Sequence, residues 1–341
     1  MERIPGLDAV RGLAIVLVVV SHAGLGVLGC AGIVGVTLFF VLSGFLITRL
    51  LLAEIDRGGI NMPAFYARRA VRLLPALLVY LVGVVIILEL SGFDPPIWHM
   101  SWPVLFYSTN YVFLQDRILF GNDHLWSLAV EEHFYLVWPL LIGFAAVRRV
   151  RIILLVVMAL LTWRLIAARA DPMWAYVGSD TNAYALGMGC LLAMWMKASG
   201  VSKVPRALVP FSLLVLLVLG SVPFGAIGWR QVAIPPAAAV ASVGLVAGAT
   251  FGDQLHSSVL RWFGVISYSL YLWHNPILRF SFFSPTPILR LWGCGVAILI
   301  AWISWVVIER PLLNSNLARR FRRTQQVASL EGRDRRSSEL R

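Results

Sequence analysis

The stretch Leu7–Leu28, LDAVRGLAIVLVVVSHAGLGVL, is an apolar run long enough to cross a bilayer, interrupted by Asp8, Arg11 and His22. A helix turns about 100° and rises about 1.5 Å per residue, so the eleven-residue step from Arg11 to His22 nearly closes three turns. Both side chains therefore share one face, about 16 Å apart along the axis. An ionisable group inside a spanning helix costs about 2.5–3.5 kcal/mol on insertion scales, and such groups face a bundle interior, a partner or a water-filled cavity. This helix is expected to line a polar path, with Arg11 and His22 bordering one hollow open to the cytoplasm.

The rest of the chain repeats the pattern. It is 341 residues long, 59% hydrophobic and 13% charged. That composition, with recurrent apolar runs near twenty residues, predicts an all-α polytopic membrane bundle. After the first span, runs at about 33–53, 73–90, 125–147, 152–168, 183–195, 207–222, 232–250, 262–282 and 288–308 give ten spans. Arg57, Arg68, Arg69 and Arg72 in one loop, RRVR at 148–151, and Lys197, Lys203, Arg206 and Arg261 then all fall on one side. The positive-inside rule makes that side, and both termini, cytoplasmic. Arg230 disagrees, and Arg164 and Arg169 lie near an outer end, from which they can snorkel. The Pro-broken, aromatic segment 91–122 is read as a surface loop with an interfacial or re-entrant helix. Residues 1–311 form the transmembrane domain. The basic tail, 312–341, is expected to be disordered on the inner membrane surface.

The net charge of +12 is accounted for by these loops and the tail, so no nucleic-acid partner is expected. Cys30, Cys190 and Cys294 lack ligand spacing and are read as packing residues, with no metal site. VLGC at 27–30 is similar to a lipoprotein cleavage box, but the apolar core before it is too long for a cleaved leader. No fixed-period repeat and no Gly-rich phosphate loop is present.

Four groups of residues can carry chemistry. His22 is the first, because an unperturbed imidazole changes charge near a pH of about 6.5 and can take and return a proton. Arg11 follows on the same face, paired one turn away with Asp8. Arg69 and Arg72, three apart beside Arg68, present guanidinium forks suited to a diphosphate or ribose phosphate. In HLWSLAVEEHFYLVW, 124–138, Ser127 and Glu131 share a face next to Glu132 and His133. A carboxylate there is expected on the outer side, where it can orient His22 or bind an acceptor hydroxyl. SYSLYLWHNP, 267–276, adds Tyr268, Tyr271 and His274, lining the same cavity or forming a hydrogen-bonded kink at Pro276. Ser43 in LSGF has no visible base and is read as small-residue packing beside Gly44, and Glu309 as the partner of a cytoplasmic arginine.

Taken in order, IPGLDAVRGLAI, the Arg11–His22 pair, GVTLFFVLSGFLITRLL, FYARRAVRLLP, HLWSLAVEEHFYLVWPLL, ISYSLYLWHNPIL and ERP resemble the membrane acyltransferase-3 family from Ile4 to Pro311. The resemblance implies a multi-pass enzyme of the bacterial inner membrane. It would move an acyl group, acetyl above all, from acyl-CoA to a hydroxyl of a cell-surface or lipid-linked carbohydrate. It assigns His22 as catalytic base, links Arg11, Arg69 and Arg72 to acyl-CoA, whose phosphates neighbouring Arg68 is also expected to meet, and places Glu131 and Glu132 at the family's acidic pair. Two positions depart from the family's pattern: Ser21 stands before His22 where Tyr is common, and Asn275 follows His274 where Trp is frequent. A hydrophobic acceptor such as a macrolide, and a transporter lined with the same residues, are the rival readings.

Overall fold

A computed structural model describes residues 4–24, 28–90, 92, 97–115, 121–142, 150–223, 229–251, 255–279 and 286–314. These form an all-helical bundle in the order α1 (Pro5–His22), α2 (Ala31–Asp56), α3 (Met62–Leu90), α4 (Ile97–Leu105), α5 (Thr109–Phe113), α6 (Trp126–Ile142) and α7 (Val150–Ala170). There follow α8 (Pro172–Val177), α9 (Ser179–Ser199), α10 (Leu208–Gly220), α11 (Trp229–Phe251), α12 (Ser258–Arg279), α13 (Pro287–Ser304) and α14 (Arg310–Asn314). A 3₁₀ turn, Asp123–Leu125, leads into α6, and a π turn, Trp305–Glu309, joins α13 to α14.

Among the described residues, six helices are long and apolar enough to cross a bilayer: Pro5–His22, Ala31–Asp56, Met62–Leu90, Ile152–Ala170, Val232–Phe251 and Pro287–Asn314. The remaining expected spans coincide with α6, α9, α10 and α12. At 13 residues α10 is short, and α6 spends apolar positions on Glu131, Glu132 and His133. The first helix stops at His22, six residues short of the predicted end. The tail from 315 onward, and the side chains of RRVR and Arg230 that bore on topology, lie outside the described residues.

Two crossings hold the interior together. At Gly12 a Cβ would overlap the Leu260 carbonyl oxygen, and at Gly264 it would overlap that of Asp8, so α1 and α12 touch backbone to backbone. The same relation joins α2 and α9, through Gly44 against the Leu186 carbonyl and Gly189 against that of Val41. Small residues allow this closeness, and in a bilayer such packing is a main source of helix association. Cys190, buried beside Gly44, packs as the sequence predicts.

The described residues of the segment 91–122 pack into the bundle. Buried Asn122 accepts a hydrogen bond from Tyr80 at 2.7 Å and donates to the Met100 carbonyl at 3.3 Å. Past Tyr80, α3 runs ten more residues, about 15 Å, to Leu90. Beside it, the end of α4 brings Phe106 and Tyr107 to the neighbourhood of Arg69 and Glu132. Arg164 departs from its expected snorkelling position. It is fully buried, donating to the carbonyls of Ala175 and Thr181 and to Asn182 Oδ1, because the α8–α9 junction offers acceptors that lipid cannot.

The α1–α12 contact yields a direct expectation. Gly12→Val forces the two backbones apart and lowers stability by about 1–3 kcal/mol, the usual cost of overpacking. Thermal unfolding of the purified protein in detergent checks this, with Gly295→Val, whose Cβ meets nothing within 4 Å, as the near-neutral control.

Candidate active site

From one end of α1 to the other, Arg11 and His22 open into different cavities. The inner one, about 250 Å³, is lined by Arg11, Ser43, Arg68, Arg69, Arg72, Glu131, Glu132 and Tyr268 among others. The outer one, about 590 Å³, is lined by His22, Asp123, His124, Trp126, Tyr176 and Arg279 among others. Tyr271 lines both. The single hollow expected from helical periodicity is therefore corrected to two chambers along one wall. Periodicity reads the face of α1 correctly but carries no information about what α6 and α12 insert against it.

The four arginines converge in the inner cavity, with different partners. Arg68 pairs with buried Glu54 at 2.8 Å, and Arg69 with Glu132 at 2.5 Å. The Arg69 guanidinium also lies 3.5 Å from the centre of the Tyr135 ring. Arg11 sits 3.8 Å from Asp8, as the sequence predicts. Arg72 is exposed to the cavity and makes no ion pair or hydrogen bond among the described residues, so its fork is the one left for an anionic guest.

Glu131 and Glu132 stand in this same inner cavity, and their expected place beside His22 is corrected. The level of His22 belongs to Asp123 and His124; α6 then descends seven or eight residues, about 10–12 Å, before presenting the two carboxylates. Glu131 accepts a hydrogen bond from Ser43 at 3.0 Å. Ser43, read from the sequence as packing, is thus a polar member of the site, a link that only the approach of α2 to α6 creates. Glu309 is likewise not at the surface: it is buried and accepts from Ser269, whose Oγ in turn accepts from the Ser304 hydroxyl at 3.0 Å.

At the outer end, His22 Nδ1 lies 2.9 Å from the Val18 carbonyl oxygen. A carbonyl only accepts, so Nδ1 carries the hydrogen and Nε2 keeps a lone pair. His22 is exposed to the outer cavity. Three imidazoles gather here: the ring of His274 is 5.0 Å from that of His22 and 5.1 Å from that of His124, edge to face in both cases. His274 donates from Nδ1 to the Tyr271 carbonyl at 2.7 Å, so the kink and cavity readings of this motif both hold in part. The Nε2 atoms of His124 and His274 are buried without a partner. Among the described residues no three His, Cys, Asp or Glu side chains converge as a metal site. Asp123 and Arg279 form an ion pair at 2.6 Å on the same cavity wall. Asp123 and His124 are site residues that the sequence does not single out, although His124 opens the HLWSL stretch.

A family model described as an acyltransferase domain matches residues 4–309. The chain belongs to the acyltransferase-3 family. Among curated proteins it is 30% identical to peptidoglycan O-acetyltransferase OatA of Listeria monocytogenes, over 94% of this chain and 57% of that protein. It is 31% identical to the putative peptidoglycan O-acetyltransferase YrhL of Bacillus subtilis, over 91% of this chain and 55% of that one. It is 30% identical to O-acetyltransferase OatA of Staphylococcus aureus, over 91% and 57%. The chain thus spans little more than half the length of these relatives. No solved structure matches it. For this member of the family, the likeness covers both cavities and every helix that lines them.

The different partnering of the arginines can be measured. Arg69→Ala leaves the half-buried Glu132 without its counter-ion and is expected to cost about 1–3 kcal/mol, as for an acceptor left unsatisfied. Arg72→Ala removes no partner and is expected to stay within about 0.5 kcal/mol of the native protein. Thermal unfolding in one detergent ranks the two variants, and the reverse order would contradict the assignment of Arg72 as the free fork.

Proposed function

We propose that this protein is an integral-membrane O-acyltransferase of the bacterial inner membrane, with acetyl as the group moved. It takes the acyl group from acyl-CoA on the arginine side and transfers it to a hydroxyl of a cell-surface or lipid-linked carbohydrate on the histidine side. The observation that carries this reading is the Nδ1–H···O=C bond from His22 to Val18, which leaves Nε2 as a base facing the outer cavity, at the far end of a helix whose near end faces clustered guanidinium groups.

On this reading Arg72, with Arg11, Arg68 and Arg69 around it, receives the phosphates of the donor from the cytoplasmic side. The pantetheine arm extends along α1 toward His22, a span of about 16 Å. Nε2 accepts the acceptor's hydroxyl proton as that oxygen attacks the thioester carbonyl. The C–S bond breaks, and the CoA thiolate leaves and is protonated. General-base assistance of this kind contributes about 10²–10⁴ in rate. Glu131 and Glu132 act in the donor cavity, where Glu132 orients Arg69 and Glu131 holds Ser43. The relatives' names as peptidoglycan O-acetyltransferases favour a glycan acceptor over a macrolide, and an ester-forming enzyme over a transporter.

His22→Ala is expected to lower ester formation by about 10²–10⁴, while acetyl-CoA binding to the purified protein is retained. Mass spectrometry of cell-envelope glycans from cells carrying the native chain or the variant, read for the acetyl ester, checks the first half. Calorimetric titration with acetyl-CoA checks the second. Unchanged ester formation in the variant would end this assignment.

A further inference from the structure

The two cavities divide at one level, whichever wall is followed. On α1, Arg11 lines the inner cavity and Val18 and His22 the outer. On α2, Phe39 and Ser43 face inward, and Gly32 outward. Leading into and along α6, His124 and Trp126 line the outer cavity, and Ser127 and Leu128 the inner. The described side chain that borders both is Tyr271, at the middle of α12. Its hydroxyl lies 2.5 Å from Ser127 Oγ and donates to the His124 carbonyl, so the ring is latched to the helix on the opposite wall. Phe39 supports the ring edge to face, with centroids 6.5 Å apart. Tyr271 as a residue is only 9% exposed although it borders both cavities.

Resting on the function proposed above, we infer that Tyr271 is the partition between a donor chamber and an acceptor chamber, and that the acyl group passes where this ring stands. With the ring in place, water and nucleophiles of the outer chamber are kept from a thioester in the inner one. A bound thioester arm displaces the ring toward the outer cavity, the larger of the two, breaking its bonds to Ser127 and His124. The latch is two hydrogen bonds, each about 0.5–1.5 kcal/mol net, an amount that substrate binding can supply. Tyr271 is thereby a positioning residue that couples donor cleavage to acceptor acylation. Excluding water from a reactive ester is a recognised function of closing elements.

The test uses the full chain in lipid nanodiscs, with its three native cysteines replaced by alanine and Ile47→Cys added as a reporter, since Ile47 lines the inner cavity. A membrane-impermeant maleimide reagent is supplied to the same protein in sealed vesicles, from the side on which His22 lies, so that it reaches the reporter only by passing through the bundle. In parallel, thiol release from acetyl-CoA is followed without any acceptor. Tyr271→Ala is expected to raise reporter labelling and acceptor-independent thiol release several-fold. Tyr271→Phe, which keeps the ring and loses the latch, is expected to raise both less. Labelling and thiol release in Tyr271→Ala no higher than in the native chain would overturn the inference, with a native-like melting temperature in Tyr271→Phe certifying that the fold is intact. The two proposals fail separately. A tight Tyr271→Ala alongside an inactive His22→Ala removes the partition alone, whereas a leaky Tyr271→Ala alongside a fully active His22→Ala removes the assignment of the base alone.

Discussion

The backbone of α1 lies directly on that of α12, and the site is suspended from this contact. Gly12 and Gly264 each leave room only for a hydrogen where the neighbouring helix places a carbonyl oxygen. Without side chains between them, the two helices approach as closely as van der Waals radii allow. Arg11 stands beside the crossing, and further along the same pair the rings of His22 and His274 meet at 5.0 Å. One packing decision therefore fixes both ends of the proposed reaction path. Any side chain at position 12 would shift the imidazole relative to its neighbours as well as loosening the bundle.

Around that contact, the bundle meets a constraint common to proteins in lipid: buried polar groups need partners, because hydrocarbon supplies none. Arg164 is answered by carbonyls from the chain reversal between α8 and α9. Glu309 is answered by a serine, and Trp138 by Thr48 at 2.9 Å. Against this background the groups that lack protein partners stand out. Arg72 faces the inner cavity unpaired, and the Nε2 atoms of His124 and His274 are buried unpaired beside the outer one. At these positions a guest in the neighbouring cavity can supply the partner that the protein does not.

Much of this was legible in the residues. Helical periodicity gave the shared face of Arg11 and His22, and apolar runs gave the helices, because both depend only on neighbours along the chain. The arginines could be grouped at one cavity because three of them lie within five positions of α3. What could not be read was the depth at which separate helices meet. Glu131 and Glu132 belong with Arg69 because α6 enters at Asp123 and descends, and no local pattern reports that offset. The same holds for Ser43, whose partner is 88 residues away, and for Tyr271, whose hydroxyl reaches a serine 144 residues distant. Arg164 was misplaced for a related reason: proximity to a helix end suggests lipid headgroups, while the acceptors that capture it come from the following turn.

The chambers stacked along α1 also have an electrical consequence. On the proposed reaction, the thiolate released in one chamber draws its proton from the cytoplasm, while the acceptor's proton departs from the other toward the opposite face. Each ester formed then displaces one elementary charge outward, which across a full membrane amounts to about 2.3 kcal/mol per 100 mV. An energised cell, negative inside, would oppose that displacement, making its voltage a brake on the rate at which its surface is decorated.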